Sequence, residues 1–373
     1  MATLIAFIGG TLAGGFIQLA IAIAFEPSFR RYYRKIRSRY LYFLTAITQG
    51  AMGQVSSELY SINGSTVNCV VLEGTPHEPF QDDNIIATLL DDKLSLPPDL
   101  AALTAATTQR QNDIAESKGH PTFFNGPMVA VQGWSRSRTP VDERDMLSLR
   151  FLRTDYYTFL STAMSLNESI DTEDGPATVR DLHLLSRNYR TPNPHIATSF
   201  GVNLALITSD RFAMLGRRGI SGLSNYAGRL AVPIGESVHP EFDRIQASQI
   251  DLYATAIRGA REELNLDVSR EEVSYYSLAV DTTWYFYGLT GAVFSRFSRD
   301  DIIARRSIGA KDRWEHSEMT YIGFDPTSIA TYIKREGGPS ALTPSSFVSL
   351  TQALIATYGQ TATLSAFQKR LRI

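Results

Sequence analysis

Three residues that could do chemistry stand together in Arg258-Gly259-Ala260-Arg261-Glu262-Glu263-Leu264-Asn265-Leu266. Glu262 follows Arg258 by four positions, the helical spacing at which a guanidinium and a carboxylate meet. Glu263 adds a second carboxylate beside the first. Gly235 and Glu241 precede this run, and Glu315 and Glu318 follow it in Trp314-Glu315-His316-Ser317-Glu318. Adjacent carboxylates next to an arginine can line a polar site or simply face solvent, and on spacing alone both readings stand. Metal chemistry based on cysteine is excluded more firmly. Cys69 is the one cysteine, which rules out an intramolecular disulfide, a Cys-rich zinc site and a CxxC redox motif. His120, His183 and His195 have no Cys or acidic partner at ligand spacing.

Regular elements must carry these groups. Leu252, Ala256, Ala260 and Leu264, spaced by four with Ile257 beside Ala256, predict a helix over residues 250–265. Asn203–Ser209 and Phe212–Leu215 read as a β-hairpin turning at Asp210-Arg211. Leu230–Ile234, Val273–Val280, Thr283–Phe294 and Met319–Phe324 read as strands. Thr343, with Pro344 at the first helical position, starts a helix to about Tyr358. Before residue 196 the pattern is less regular. Val67–Leu72, Met128–Val131 and Leu147–Leu152 read as strands. Leu100–Ala115, with Asp99 as N-cap, and Asp155–Leu166 read as helices.

This order of strands and helix resembles a Nudix domain over about residues 200–340. The family's box is Gx5Ex7REUxEExGU, with U aliphatic. Gly235-x5-Glu241 fits its opening, and the 258–266 run keeps the arginine, the paired glutamates and the aliphatic positions. The spacer before Arg258 is nine residues too long, Gly259 stands where the box has a glutamate, and Asn265 stands where it has a glycine. Glycine inside a helix costs about 1 kcal/mol relative to alanine, so Gly259 has no local reason to be there. The resemblance implies Mg²⁺ or Mn²⁺ bridging a diphosphate. Glu262, Glu263 and Glu241 would be its ligands. Glu262, Glu263, Glu315 and Glu318 would be the catalytic carboxylates. A nucleotide would lie near Gly235 and the helix start, with Arg217, Arg218 and Arg258 as cations and Tyr253, Trp284 and Tyr285 as aromatic faces. The loss at position 259 lowers the charge of such a metal site.

The 373 residues suggest about two domains. A hydrophobic fraction of 43 % and a charged fraction of 20 % suit a globular chain. A net charge of −2, from 36 Lys+Arg against 38 Asp+Glu, excludes a broadly basic nucleic-acid coat, and no DNA binding is expected. Mean hydropathy of −0.11 excludes a many-pass membrane protein. From Ala2 to Phe25, however, no residue is charged. That length satisfies the ~20 apolar residues of a membrane helix. Six cations follow between Arg30 and Arg39, which would keep that side cytoplasmic. Gly10, Thr11, Gly14, Gly15 and Gln18 share a helical face on which spans can associate.

The sequence therefore predicts an α/β (α+β) protein in four parts: a single transmembrane helix over 1–26, a basic juxtamembrane helix over 27–60, an α+β region over 61–195 that precedes or extends the Nudix fold, and a Nudix-like α/β/α sandwich with a C-terminal helix over 196–373. The combination resembles the membrane-anchored effectors with a SMODS-associated Nudix domain from bacterial cyclic-oligonucleotide antiviral signalling. That resemblance implies an inner-membrane protein with a short N-terminus outside and a cytosolic domain. This domain would bind a cyclic nucleotide from a partner synthase and form a homo-oligomer, and the transmembrane helices would then disrupt the membrane lipid in antiviral defence. The alternatives are a tethered Mg²⁺-dependent pyrophosphohydrolase of a nucleoside diphosphate derivative and a ligand-free adaptor.

Overall fold

The computed structural model describes residues 58–138, 143–172, 175–184, 189–219, 226–311 and 316–371. In chain order the first strands and helices are β1 (Leu59–Ile62), β2 (Ser65–Glu73), β3 (Ile85–Lys93), α1 (Pro98–Lys118), β4 (Pro127–Arg138), β5 (Asp145–Asp155), α2 (Tyr156–Ser161), β6 (Ser169–Thr172), β7 (Gly175–Thr178) and α3 (Val179–His183). Next come β8 (Phe200–Ile207), β9 (Phe212–Arg218), β10 (Leu230–Ala231), β11 (Ile234–Ser237), β12 (Arg244–Gln246), β13 (Gln249–Ile250) and α4 (Leu252–Leu264). The chain closes with β14 (Val273–Asp281), β15 (Phe286–Phe294), α5 (Arg299–Gly309), β16 (His316–Gly323), α6 (Pro326–Arg335), α7 (Pro344–Tyr358) and α8 (Gln360–Leu371).

A nine-stranded mixed sheet runs β1-β2-β14-β15-β8-β9-β10, with β11 also on β8 and β16 also on β9. β15 and β8 are parallel, from Tyr287 opposite Phe200 to Phe294 opposite Ile207. Successive side chains of a strand point to opposite faces, and the core divides accordingly. Val202, Leu204, Leu289, Leu278 and Val70 join one apolar cluster. Ala205, Ile207, Ala292, Ala279 and Cys69 join another. The first cluster also takes in α4, Ile302 of α5 and the inner face of a second sheet, ordered β12-β13-β3-β5-β4. The second takes in α6, α7 and α8. Strands from both sides of residue 195 share these sheets: β2 pairs with β14, and β13 pairs with β3.

The fold-class expectation is corrected at the N-terminus. Among the described residues no helix is long and apolar enough to cross a membrane. The longest described helix, α1, has the length of a span but carries Arg110, Asp113, Glu116 and Lys118. Such charges are too costly for lipid at that density. The run Ala2–Phe25, its face of Gly10, Thr11, Gly14, Gly15 and Gln18, and the basic segment after it lie outside the described residues. The transmembrane description and the single-pass placement at the inner membrane find no support in the fold and are set aside.

Candidate functional site

The site grows from the contact of α4 with β11. Asp251 caps α4, its carboxylate accepting from the Tyr253 and Ala254 amides. The helix stops at Asn265, left-handed at φ 55°, a conformation that asparagine tolerates in place of glycine. Inside the helix, a Cβ on Gly259 would lie 2.7 Å from the Glu236 Cβ. Gly259 is therefore what lets α4 rest directly on β11. The reason for this helix-breaking residue is tertiary, and it closes the position where the Nudix box carries the glutamate that follows its arginine.

Close packing brings three carboxylates onto Arg258, with a fourth nearby. Its Nε and Nη2 donate to Asp243 Oδ1 and Oδ2 at 2.9 and 2.8 Å. Its Nη1 lies 2.8 Å from Glu236 Oε1 and 3.4 Å from Glu262 Oε2. Asp243 is 1 % exposed and also accepts from the His239 amide and the Thr255 hydroxyl. Burial opposes the Arg258 charge, but the hydrogen bonds to Asp243 and the nearby Glu236 hold its pKa above the ordinary arginine value. Burial likewise pushes the Glu236 carboxyl up to about 7; Arg258 opposes this, while Glu263 and Glu262 add to it.

The fourth carboxylate, Glu263, is turned inward. Its Oε1 accepts from the Gly235 amide at 2.9 Å, and its Oε2 lies 3.2 Å from His316 Nε2. His316 reaches it because β16 lies beside β9 at Gly216, where a Cβ would come within 2.4 Å of the ring. Gly235, Arg258, Glu262 and Glu263 are thus brought together as the sequence suggests. Glu236, Asp243 and His316 belong with them and carry no such signal in the sequence.

The other candidate residues lie elsewhere or are occupied. Glu241 is held by Arg153 at 2.7 Å and Arg244 at 3.5 Å, and the Arg153 hydrogen bond holds its carboxyl below the usual range. Glu315 lies outside the described residues. The Glu318 side chain is exposed, 3.8 Å from Arg217. Arg217 itself pairs with Glu336 at 2.7 Å and donates to the Gly228 carbonyl. Arg218 ends β9, its backbone bonded to Arg229 and Gly228. Tyr253 is core: its hydroxyl donates to the Phe80 carbonyl and its ring stands edge-on to Tyr275. Trp284 and Tyr285 form the turn between β14 and β15. The Tyr285 hydroxyl accepts from the Asn193 amide, and its ring packs edge-on to Tyr287.

These donors do not fit Mg²⁺ or Mn²⁺. Such ions take several carboxylate oxygens, each with a free lone pair toward the metal. Here both oxygens of Asp243 and of Glu263 are already bonded, position 259 has no room for a side chain, and the Arg258 guanidinium sits among the carboxylates. Among the described residues no group of three or more His, Cys, Asp or Glu side chains could hold a metal ion.

No family model matches the chain, and no curated protein matches it. Solved structures similar to it include the crystal structure of DR0079 from Deinococcus radiodurans at 1.9 Å resolution. That likeness has 21 % identity and a TM-score of 0.25, and covers 37 % of this chain and 73 % of that one.

Proposed function

We propose that this chain recognises a nucleotide without hydrolysing it, on a scaffold resembling a Nudix domain. One observation carries the non-hydrolytic half of this reading: the Arg258 guanidinium occupies the centre of the carboxylate cluster. A protonated arginine there pairs with Glu236, Asp243 and Glu262 where a metal would stand, but it offers no Lewis-acid site and no activated water. The nucleotide half is supported by the resemblance of Gly235, Arg258, Glu262 and Glu263 to the box of a diphosphate-binding family. Hydrolysis and membrane action form no part of the reading.

The test uses the full chain. Cyclic di- and trinucleotides are expected to raise its unfolding temperature, since a ligand that binds only the folded state stabilises it. Phosphate release from nucleoside diphosphate derivatives is expected to stay at background with Mg²⁺ or Mn²⁺. Metal-dependent turnover that disappears in Glu262→Gln and Glu263→Gln would overturn the reading. So would the absence of a shift with every nucleotide.

A further inference from the structure

The chain contains two Asn-Gly pairs, Asn63-Gly64 and Asn125-Gly126, and the structure holds them differently. In this dipeptide the backbone nitrogen of the second residue can attack the side-chain amide of the first, because glycine has no side chain to shield that nitrogen or to restrict its approach. At Asn125 both reacting groups are engaged. The Gly126 amide donates to the Phe124 carbonyl at 3.1 Å, and Asn125 Oδ1 accepts from the Tyr157 amide at 2.9 Å.

Asn63-Gly64 is the two-residue loop between β1 and β2. Ile62 pairs with Ser65 across it, and both loop residues have positive φ, 48° and 81°, as a type I′ hairpin turn requires. The Gly64 amide has no hydrogen-bond partner among the described residues, and a Cβ added to Gly64 would meet nothing within 4 Å. The nucleophile is therefore open, and what is held is the leaving group: Asn63 Nδ2 donates to the Leu364 carbonyl of α8. Helix α8 is itself lightly anchored. Of its 12 residues only Thr363, Ala366 and Phe367 are buried. The Phe367 ring stands edge-on to Phe347 of α7, which in turn meets Tyr60 of β1. A helix with so few buried side chains opens at a lower cost than the whole fold.

We propose that Asn63 is a site of self-modification gated by α8. With α8 docked, the Leu364 carbonyl fixes the Asn63 carboxamide. When α8 lifts, the Gly64 nitrogen attacks Asn63 Cγ. The N–Cγ bond forms, the Cγ–Nδ2 bond breaks, and Nδ2 leaves as ammonia with the proton of the Gly64 amide. Water then opens the succinimide to aspartate or isoaspartate, and no other co-reactant enters. The product carries a carboxylate, which only accepts, where a donor met the Leu364 carbonyl. Two acceptors repel, so the modified turn disfavours the return of α8. The proposal does not depend on nucleotide recognition.

The test incubates the full chain at mildly alkaline pH and follows both Asn-Gly pairs by peptide mapping with mass spectrometry. Phe367→Ala removes a buried anchor of α8. It is expected to raise the rate of modification at Asn63 several-fold and to leave the rate at Asn125 unchanged. A second measurement does not need that variant to fold. Hydrogen exchange of the α8 amides is expected to be several-fold faster in Asn63→Asp than in wild type, with exchange in α4 unchanged. Asn63→Gly keeps the turn and loses only the hydrogen bond, and its α8 is expected to exchange at a rate between the two. Equal acceleration at Asn63 and Asn125 in Phe367→Ala would show that modification follows global unfolding, and overturns the gating. An unchanged rate at Asn63 in that variant overturns it too, as does α8 exchange in Asn63→Asp no faster than in wild type.

Discussion

The two faces of the nine-stranded sheet solve the burial of polar groups in opposite ways. On the α4 face, Arg258, Glu236, Asp243, Glu262 and Glu263 bury or half-bury full charges. Under α7 itself the polar groups that hydrogen-bond between helix and sheet are neutral, while Asp281 is buried at the end of β14. Ser277 and Thr290 join hydroxyls at 2.6 Å and share the Gln352 side-chain oxygen. Ser346 accepts from the Val232 amide, and Ser349 donates to the Asn203 carbonyl. Neutral hydrogen bonds contribute about 1 kcal/mol each and hold a helix in register. Buried charges cost several kcal/mol per ion before any pairing returns it. A fold that needs only register would use the first device, as it does under α7. The second, under α4, is offset by the hydrogen bonds and ion pairs that Arg258 makes with Asp243, Glu236 and Glu262.

The sharpest way to break this contrast is Arg258→Met. It leaves Glu236, Asp243 and Glu262 without their cation, and removing one partner of a buried pair costs about 3–5 kcal/mol. Chemical unfolding at neutral pH should show that loss. A change below about 1 kcal/mol would mean that the cluster is solvated and that the two faces do not differ.

A second test separates the faces by pH. Glu236 has a folded pKa raised to about 7 from its ordinary value of 4.5. Between those values the folded state holds a proton that the unfolded state has lost. Stability from this group is therefore full below about pH 4.5 and falls as pH rises through about 7. Glu236→Gln cannot ionise. Its stability relative to wild type should climb across that window by about 1–3 kcal/mol. Unfolding temperatures of the pair between pH 4.5 and 8 measure this, and a constant difference would show that Glu236 titrates normally.

How legible these faces were in the sequence depended on the range of the contact behind each element. The α4 stripe of Leu252, Ala256, Ala260 and Leu264 is fully buried, because helical periodicity is a local property. The stretch 230–234 reads as one strand but forms two, split by Pro233, which cannot donate to a ladder: Leu230 and Ala231 pair with β9, and Ile234 with β8. Helix α5 is absent from the elements the sequence predicts, although its capping box of Ser298 and Asp301 is a signal for it. The α4 carboxylates and the Arg258–Glu262 spacing stood in the sequence, but Glu236, Asp243 and His316 could not be placed beside them. Gly259 is explained by the close approach of β11 at Glu236 and Ile234, and Arg258 by Asp243 and Glu236 across a loop longer than the family box allows, besides Glu262 on its own helix. The aromatic faces assigned to Tyr253 and Tyr285 failed for a related reason, since residue type does not distinguish a ring that stacks on a ligand from one that fills a core. Among the rings left open to solvent are Phe124 and Phe242, in loops with no periodicity to read.

The smallest effect is expected at the neutral face. Gln352 is 2 % exposed, and its side-chain oxygen accepts from Ser277 and Thr290. Leucine has nearly the same volume, so Gln352→Leu adds no cavity. The two hydroxyls lose that acceptor but keep each other at 2.6 Å. Because one partner of a neutral network is removed while the rest stays paired, the cost should be about 1 kcal/mol and independent of pH. Nucleotide affinity should not change, since the sheet separates this residue from the charged face. A loss as large as that of Arg258→Met would show that the neutral network carries a comparable part of the fold. A loss that varied with pH would show that the two faces are coupled through the strands between them.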